Sequence, residues 1–169
     1  MHIIIDANIL LGYYCETNDK ATSLTGCTID IFDQLGNGLT VYLDESGHIE
    51  NEWRSQLDPE WFKEWYADLF IRGAAYQIKV ALCNDIRDQI RKHGFPYSKD
   101  IWYIRTAKAI ADLKKRALLI TEDIDYYDPT QKKIAKGKAR IDILKRCSGP
   151  IPKYLRRNFN IIIKSVCNV

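Results

Sequence analysis

The sequence predicts an α/β layer fold built around a central, mainly parallel sheet. Three observations carry this prediction. Short apolar runs of strand character alternate with helix-patterned stretches along most of the chain, an order that lays helices over a parallel sheet. Two of the runs, Ile3-Ile4-Ile5 and Leu118-Leu119-Ile120, are apolar throughout, as strands covered on both faces are. The 169 residues, 46% of them hydrophobic, suffice for one domain with a real core and are too few for two independent ones. No repeat, low-complexity stretch or linker divides them, so one domain over 1–169 is expected.

Each element has a local reason. His2 to Ile5 reads as the first strand and ends at Asp6. A helix is expected over 22–35: Thr22 or Thr25 can cap it, Leu24, Thr28, Ile31, Phe32 and Leu35 share one side, and Gly36 stops it. Leu39 to Leu43 is a second strand. Glu45 to Leu57 is a helix, because Ile49, Trp53 and Leu57 recur every four residues. Asp58-Pro59 opens the next helix in cap-then-proline order, with Trp61, Trp65 and Leu69 as its stripe. Residues 71–82 fit neither period. A helix over 83–93 rests on Ile86 and Ile90 and stops at Gly94. Phe95-Pro96-Tyr97 connects it to a helix that Ser98 can cap and that runs to about Arg116, with Asp100 in its first turn. Ala117 to Thr121 is a strand and 122–132 a loop. A basic helix over 133–146 is weakened at Gly137 and broken off by Pro150 and Pro152, and Asn160 to Val166 is the last strand. The segment 58–97 reads as a helical insertion. Its Trp61, Phe62, Trp65 and Tyr66 suit packing onto the core better than an interaction face.

Composition excludes several classes. The longest apolar runs are a few residues, against roughly twenty for a membrane-spanning helix. No basic-then-apolar leader opens the sequence, so a cytoplasmic protein without membrane association is expected. Cys15, Cys27, Cys83, Cys147 and Cys167 are scattered, with no Cys-x-x-Cys, and read as reduced thiols. His2, His48 and His93 show no zinc-ligand spacing to them. Net charge is +3, yet residues 132–169 carry 11 Lys or Arg against one acid, Asp142, while residues 1–131 carry 14 bases against 21 acids.

Two apolar strands end in acids: Ile3-Ile4-Ile5 runs into Asp6, and Leu118-Leu119-Ile120 runs through Thr121-Glu122 into Asp123. In an open parallel sheet ligands bind beyond the carboxyl ends of the strands, which is where Asp6 and Asp123 would point. Asp100 can reach the same place, and a glutamate after Leu43 could be a fourth. Converging carboxylates repel one another. A hard divalent cation removes the conflict, and oxygen-only ligands select magnesium or manganese over zinc. Such an ion activates water and stabilises charge on a phosphate.

The residues Ile3-Ile4-Ile5-Asp6-Ala7-Asn8, Leu119-Ile120-Thr121-Glu122-Asp123 and the intervening Asp100-Ile101-Trp102-Tyr103-Ile104-Arg105-Thr106-Ala107 resemble the PIN-domain family of nucleases, in order and spacing over nearly the whole chain. The resemblance implies a Rossmann-like α/β/α sandwich and a Mg²⁺- or Mn²⁺-dependent ribonuclease. Asp6, Asp100 and Asp123 match the family's acidic positions, and Asn8 and Thr121 its supporting polar ones. The family's remaining acid lies on the helix after the second strand, where Ile49-Glu50-Asn51-Glu52-Trp53 matches best at Glu52. Helical phasing leaves Glu50 and Glu45 open. Asp125 is a further acid near the metal or its waters. Small members of the family resemble toxins of toxin–antitoxin pairs, which would bring an antitoxin or other protein partner, and a homodimer is compatible. Others act in RNA maturation or in defence.

An acidic pocket that cleaves RNA needs cations outside it to hold the polyanion. Arg105 and Lys108 on the Asp100 helix, and Lys132, Lys133, Lys136, Lys138 and Arg140 after the acids, are the candidates. The bland alternative for the basic third is a solvated helix face balancing the acidic body. Rival functions remain. An aspartyl-phosphate enzyme could use Asp6 or Asp44, but a receiver domain wants paired acids where Ala7 follows Asp6. A haloacid-dehalogenase-type phosphatase wants Asp-x-Asp where this chain has Asp6-Ala7-Asn8. A catalytically silent PIN-like module that binds RNA or protein is the non-enzymatic rival.

Overall fold

Ile3, Ile4 and Ile5 of β1 (His2–Ile5) are wholly removed from solvent, which places this strand at the centre of the molecule. A computed structural model describes residues 1–18, 27–82, 84–96 and 100–169. Its sheet has five parallel strands in the order β3-β2-β1-β4-β5, with β2 at Thr40–Asp44, β3 at Ala75–Ile78, β4 at Ala117–Ile120 and β5 at Ile161–Lys164. The chain steps outward from β1 through β2 to β3, then returns to lay β4 and β5 on the other side of β1. That reversal opens a crevice between the carboxyl ends of β1 and β4. Ile5 pairs with Ile120, and the Asp6 N–H still donates to the Ile120 carbonyl at 3.0 Å. Asp6 and Thr121 are therefore the first side chains past the paired ends.

The helices are α1 (Ala7–Thr17), α2 (Cys27–Asp33), α3 (His48–Gln56), α4 (Pro59–Ile71), α5 (Asn84–Lys92), α6 (Ile101–Lys114), α7 (Lys138–Arg146) and α8 (Pro150–Phe159). They complete an α/β/α sandwich. α6 lies across all five strands and buries Ile101, Tyr103, Ile104, Ala107, Ile110 and Ala111. Burying apolar side chains of this size stabilises by roughly 1.5–3 kcal/mol each. α1 packs on α2 and α3. Among the described residues no helix is long and apolar enough to cross a membrane.

Several expectations need correction. α1 was not legible, because Ile9, Leu10, Leu11, Tyr13, Tyr14 and Cys15 make it apolar nearly all round and leave no amphipathic stripe. α2 ends at Asp33, two residues before the expected 35, and residues 22–26, with the capping expected of Thr22 or Thr25, lie outside the described residues, as do Cys83, Tyr97 and Ser98. The segment 58–97 is not helical alone: it supplies the edge strand β3, whose Tyr76 and Gln77 face outward. Four residues with two exposed carry too weak a pattern to read. Pro150 and Pro152 do not simply end a helix; they open α8, since proline fits a first turn that needs no N–H partner. The loop at 122–132 holds two 3₁₀ turns, Ile124–Tyr126 and Pro129–Gln131. The cysteines are not all thiols. Cys27 and Cys167, 140 residues apart, form a disulfide that ties α2 to the final 3₁₀ turn, Val166–Asn168, while Cys15 and Cys147 are free.

Candidate functional site

Asp6 is 4% exposed and occupies the N-cap position of α1 without capping it through its side chain. Its Oδ2 instead accepts a 2.6 Å hydrogen bond from the Thr121 hydroxyl. That hydroxyl in turn accepts the Asp123 N–H at 3.0 Å. One threonine thus ties the end of β1 to the start of the acidic loop after β4. Asp123 stays half-buried and its Oδ1 accepts the Asp125 N–H, opening the 3₁₀ turn.

Three buried tyrosines hold the backbone around these acids. The Ala7 N–H donates to Tyr103 Oη at 3.2 Å. Tyr126 Oη donates to the Asp100 carbonyl at 3.1 Å, and Tyr127 Oη to the Thr121 carbonyl at 2.8 Å. Burial, and after it the Asp6 charge, pushes the Tyr103 and Tyr126 phenols well above the ordinary range, so both stay protonated. The sequence reading missed this frame. Tyr103, within the segment that follows Asp100, was the one available signal.

The charges of three other acids reach Asp6. The Asp6 carboxyl is pushed up to about 7, first by burial, against the Thr121 hydrogen bond, and further by the charges of Asp123, Asp100 and Glu52. Asp100 sits at the N-cap of α6, one residue ahead of where the helix was expected to enclose it. Glu50 is engaged elsewhere, by Arg54 and by Tyr66 Oη at 2.7 Å, and Glu45 is exposed. Glu52 is the glutamate of α3 whose charge reaches Asp6. Asp44 is fully buried, and its two oxygens accept the His48 and Ile49 N–H groups at the start of α3. That role leaves no exposed carboxylate there for a phosphoryl group.

The donor set is made of oxygens, which fits a hard divalent cation. Asp6 is the observation that bears on it: a buried carboxyl with three negative neighbours is half-protonated near neutrality, a state that a cation would relieve. The spacing is open rather than cage-like. Among the described residues no three His, Cys, Asp or Glu side chains form a ready ligand cluster. Magnesium tolerates this, because it keeps several waters and uses one or two protein carboxylates.

Beside Asp123 lies a cavity of about 520 Å³, also lined by Asn8, Glu16, Thr28, Lys132 and Arg140. Asn8 is exposed there. Glu16 is an acid the sequence reading did not single out; its Oε1 accepts from the Thr28 hydroxyl at 3.1 Å, and its buried Oε2 has no hydrogen-bond partner among the described residues. Asp125 is buried, and burial raises its carboxyl while the Lys132 ammonium, paired with it, holds it back. Arg140 donates to the Glu122 carbonyl at 3.0 Å. Lys133, Lys136 and Lys138 are exposed and outside this cavity. Arg105 is buried and, with Lys108, lines a separate cavity.

No protein-family model matches the chain, and no curated protein matches it. Among solved structures, a chain of the crystal structure of VapBC2 from Rickettsia felis bound to a DNA fragment from their promoter matches with a TM-score of 0.52, over 98% of this chain and 98% of that chain. The sequences are 14% identical, so the likeness is one of fold, and it supports the PIN-like architecture.

Proposed function

We propose that the chain is a metal-dependent endoribonuclease of PIN-like architecture, acting as one domain in the cytoplasm, where thiol reductants would hold Cys27 and Cys167 reduced. The observation that carries the reading is the buried Asp6 carboxyl at the sheet's switch point, tied through the Thr121 hydroxyl to the Asp123 loop and raised further by the charges of Asp123, Asp100 and Glu52. Asp6, Glu52, Asp100 and Asp123 would hold magnesium or manganese, directly or through water. That ion supplies an activated water and positive charge on the phosphodiester. Thr121 orients Asp6 by donating to it and the Asp123 loop by accepting from it. Asn8 offers an amide at the mouth of the cavity, and Asp125 keeps Lys132 beside Asp123. Lys132 and Arg140 meet the incoming backbone, positioning it without reading sequence; Lys133, Lys136 and Lys138 add long-range attraction.

VapBC2, the neighbour of like fold, is found in a complex bound to promoter DNA. With the resemblance of small PIN proteins to toxins, this supports a protein partner of antitoxin type for this chain, and homodimerisation is the accompanying proposal. The test is incubation of mixed RNAs with the protein and magnesium or manganese, then with chelator. Cleavage that chelator abolishes and Asp6→Asn eliminates is expected. Equal cleavage in both, or unchanged cleavage by Asp6→Asn, sinks the reading. A second reading, a silent RNA-binding module, draws on the open spacing of the acids. It predicts RNA affinity independent of metal and no turnover.

A further inference from the structure

α3 and α6 meet in an aromatic contact. The His48 imidazole lies on the Trp102 indole, ring centres 3.7 Å apart and planes 15° from parallel. The Arg105 guanidinium carbon stands 5.0 Å from the centre of the same indole, within cation–π range. His48 is exposed and Trp102 half-buried, so the stack is covered on its Trp102 side and open at His48. His48 precedes Glu52 by one helical turn, and Trp102 follows Asp100 by two residues. The stack therefore joins the first turns of α3 and α6, the helices that carry Glu52 and begin at Asp100.

From Trp102 one face of α6 continues through Arg105 to Lys108 at three-residue spacing. It reaches a cavity of about 230 Å³ lined by Lys79, Ala81, Arg105, Lys108, Ala109 and Asp112. Lys108 pairs with Asp112, and Lys79 is exposed at the rim. Among the described residues the cavity's lining carries Lys79, Arg105 and Lys108 beside the one acid, Asp112. It shares no residue with the larger cavity at Lys132 and Arg140. It is smaller than the roughly 300–1,000 Å³ of sites that enclose a drug-sized ligand, which suits a phosphate and not a whole nucleotide.

An open ring stack followed by cations is how proteins hold unpaired nucleotides: any base has a face to stack, and the cations meet the backbone. Paired bases in a duplex have no free face to offer. The geometry points to His48, Trp102, Arg105, Lys79 and Lys108 as a track for a single-stranded nucleotide flanking the cleaved phosphate. Its base stacks at His48–Trp102, and its phosphate sits at the Lys79–Arg105–Lys108 cavity. The inference deepens the nuclease reading, and binding can be measured apart from cleavage.

The experiment is fluorescence anisotropy with a short labelled oligouridylate in EDTA, where nothing is cleaved. His48→Ala should weaken binding by about 5- to 150-fold, the effect of losing one stacked base, and His48→Phe should restore it. Lys79→Ala should weaken binding and lower the salt slope by about 0.7, one phosphate contact on a single strand. An abasic oligomer should not sense His48→Ala, and a deoxy oligomer should show the same losses as RNA. Both substituted residues are exposed, so folding is preserved; a circular dichroism melt checks it. Unchanged affinity in both His48→Ala and Lys79→Ala overturns the track. If these losses appear while the wild type cleaves nothing with either metal, the track stands and the nuclease reading falls. If the wild type cleaves and neither substitution alters binding, the reverse holds.

Discussion

Replacing Asp6 by asparagine should stabilise the metal-free protein at alkaline pH while abolishing its response to divalent ions. The Asp6 carboxyl titrates near 3.8 when unfolded and at about 7 when folded, chiefly through burial. A raised carboxyl binds its proton more tightly in the folded state, so its contribution to stability is complete below pH 4, declines between pH 4 and 7, and is gone above pH 7. That gap, at ~1.4 kcal/mol per pH unit, amounts to about 4 kcal/mol as a ceiling. Asparagine keeps an oxygen to accept the Thr121 hydroxyl and carries no charge to bury. Relaxation around the ionised carboxylate reduces the gain to about 1–2 kcal/mol, or roughly 2–8 °C in Tm for a chain of this size. The assay is thermal melting of both proteins in EDTA at pH 5 and pH 8, repeated with magnesium or manganese. Asp6→Asn should melt higher at pH 8 and by about a third of that margin at pH 5, where the unfolded carboxyl is already ionised. Metal at a hundredfold excess over Kd should raise the wild type by about 2.7 kcal/mol and leave the variant unmoved. Asp125 titrates in both proteins and cancels in the difference. A variant that is less stable than the wild type by the same margin at both pH values would refute the reasoning.

Other perturbations have defined outcomes. Gly149→Ala would put its Cβ 2.1 Å from the Tyr127 carbonyl oxygen, so urea unfolding should show a loss of about 1–3 kcal/mol from overpacking, with displacement of the 124–131 segment. Cys27→Ser should lower the unfolding free energy, read by urea titration in non-reducing buffer, by about 2–5 kcal/mol, since the bond closes a loop of 140 residues, and make no difference once the wild type is reduced. Lys132→Ala removes the partner of the buried Asp125 carboxylate. Asp125 then rises further, so stability should fall by about 1–2 kcal/mol at pH 8, discounted for the half-exposed lysine, and be unchanged at pH 4, as paired melts would show.

The sequence alone determined the strands that end in acids and the helices with a clear stripe. Ile3–Ile5 and Leu118–Ile120 are unbroken apolar runs, Asp6 follows the first directly and Asp123 the second by three residues, so the pattern and the chemistry sit in the same few residues. Asp58-Pro59 marks the start of α4 for the same local reason. Contacts between distant segments were decided only by the tertiary structure. Phasing left Glu50 and Glu52 equivalent beside the Ile49–Trp53 stripe; Arg54 and Tyr66, the latter from α4, engage Glu50, and Glu52 is the one whose charge reaches Asp6. Cys27 and Cys167 have no spacing rule to betray a pairing across 140 residues. Glu16 joins the cavity because α1 carries it there, and α1 itself has no apolar period to announce it. Local backbone preference is written in neighbouring residues, whereas which side chains meet depends on where the folded sheet delivers each loop.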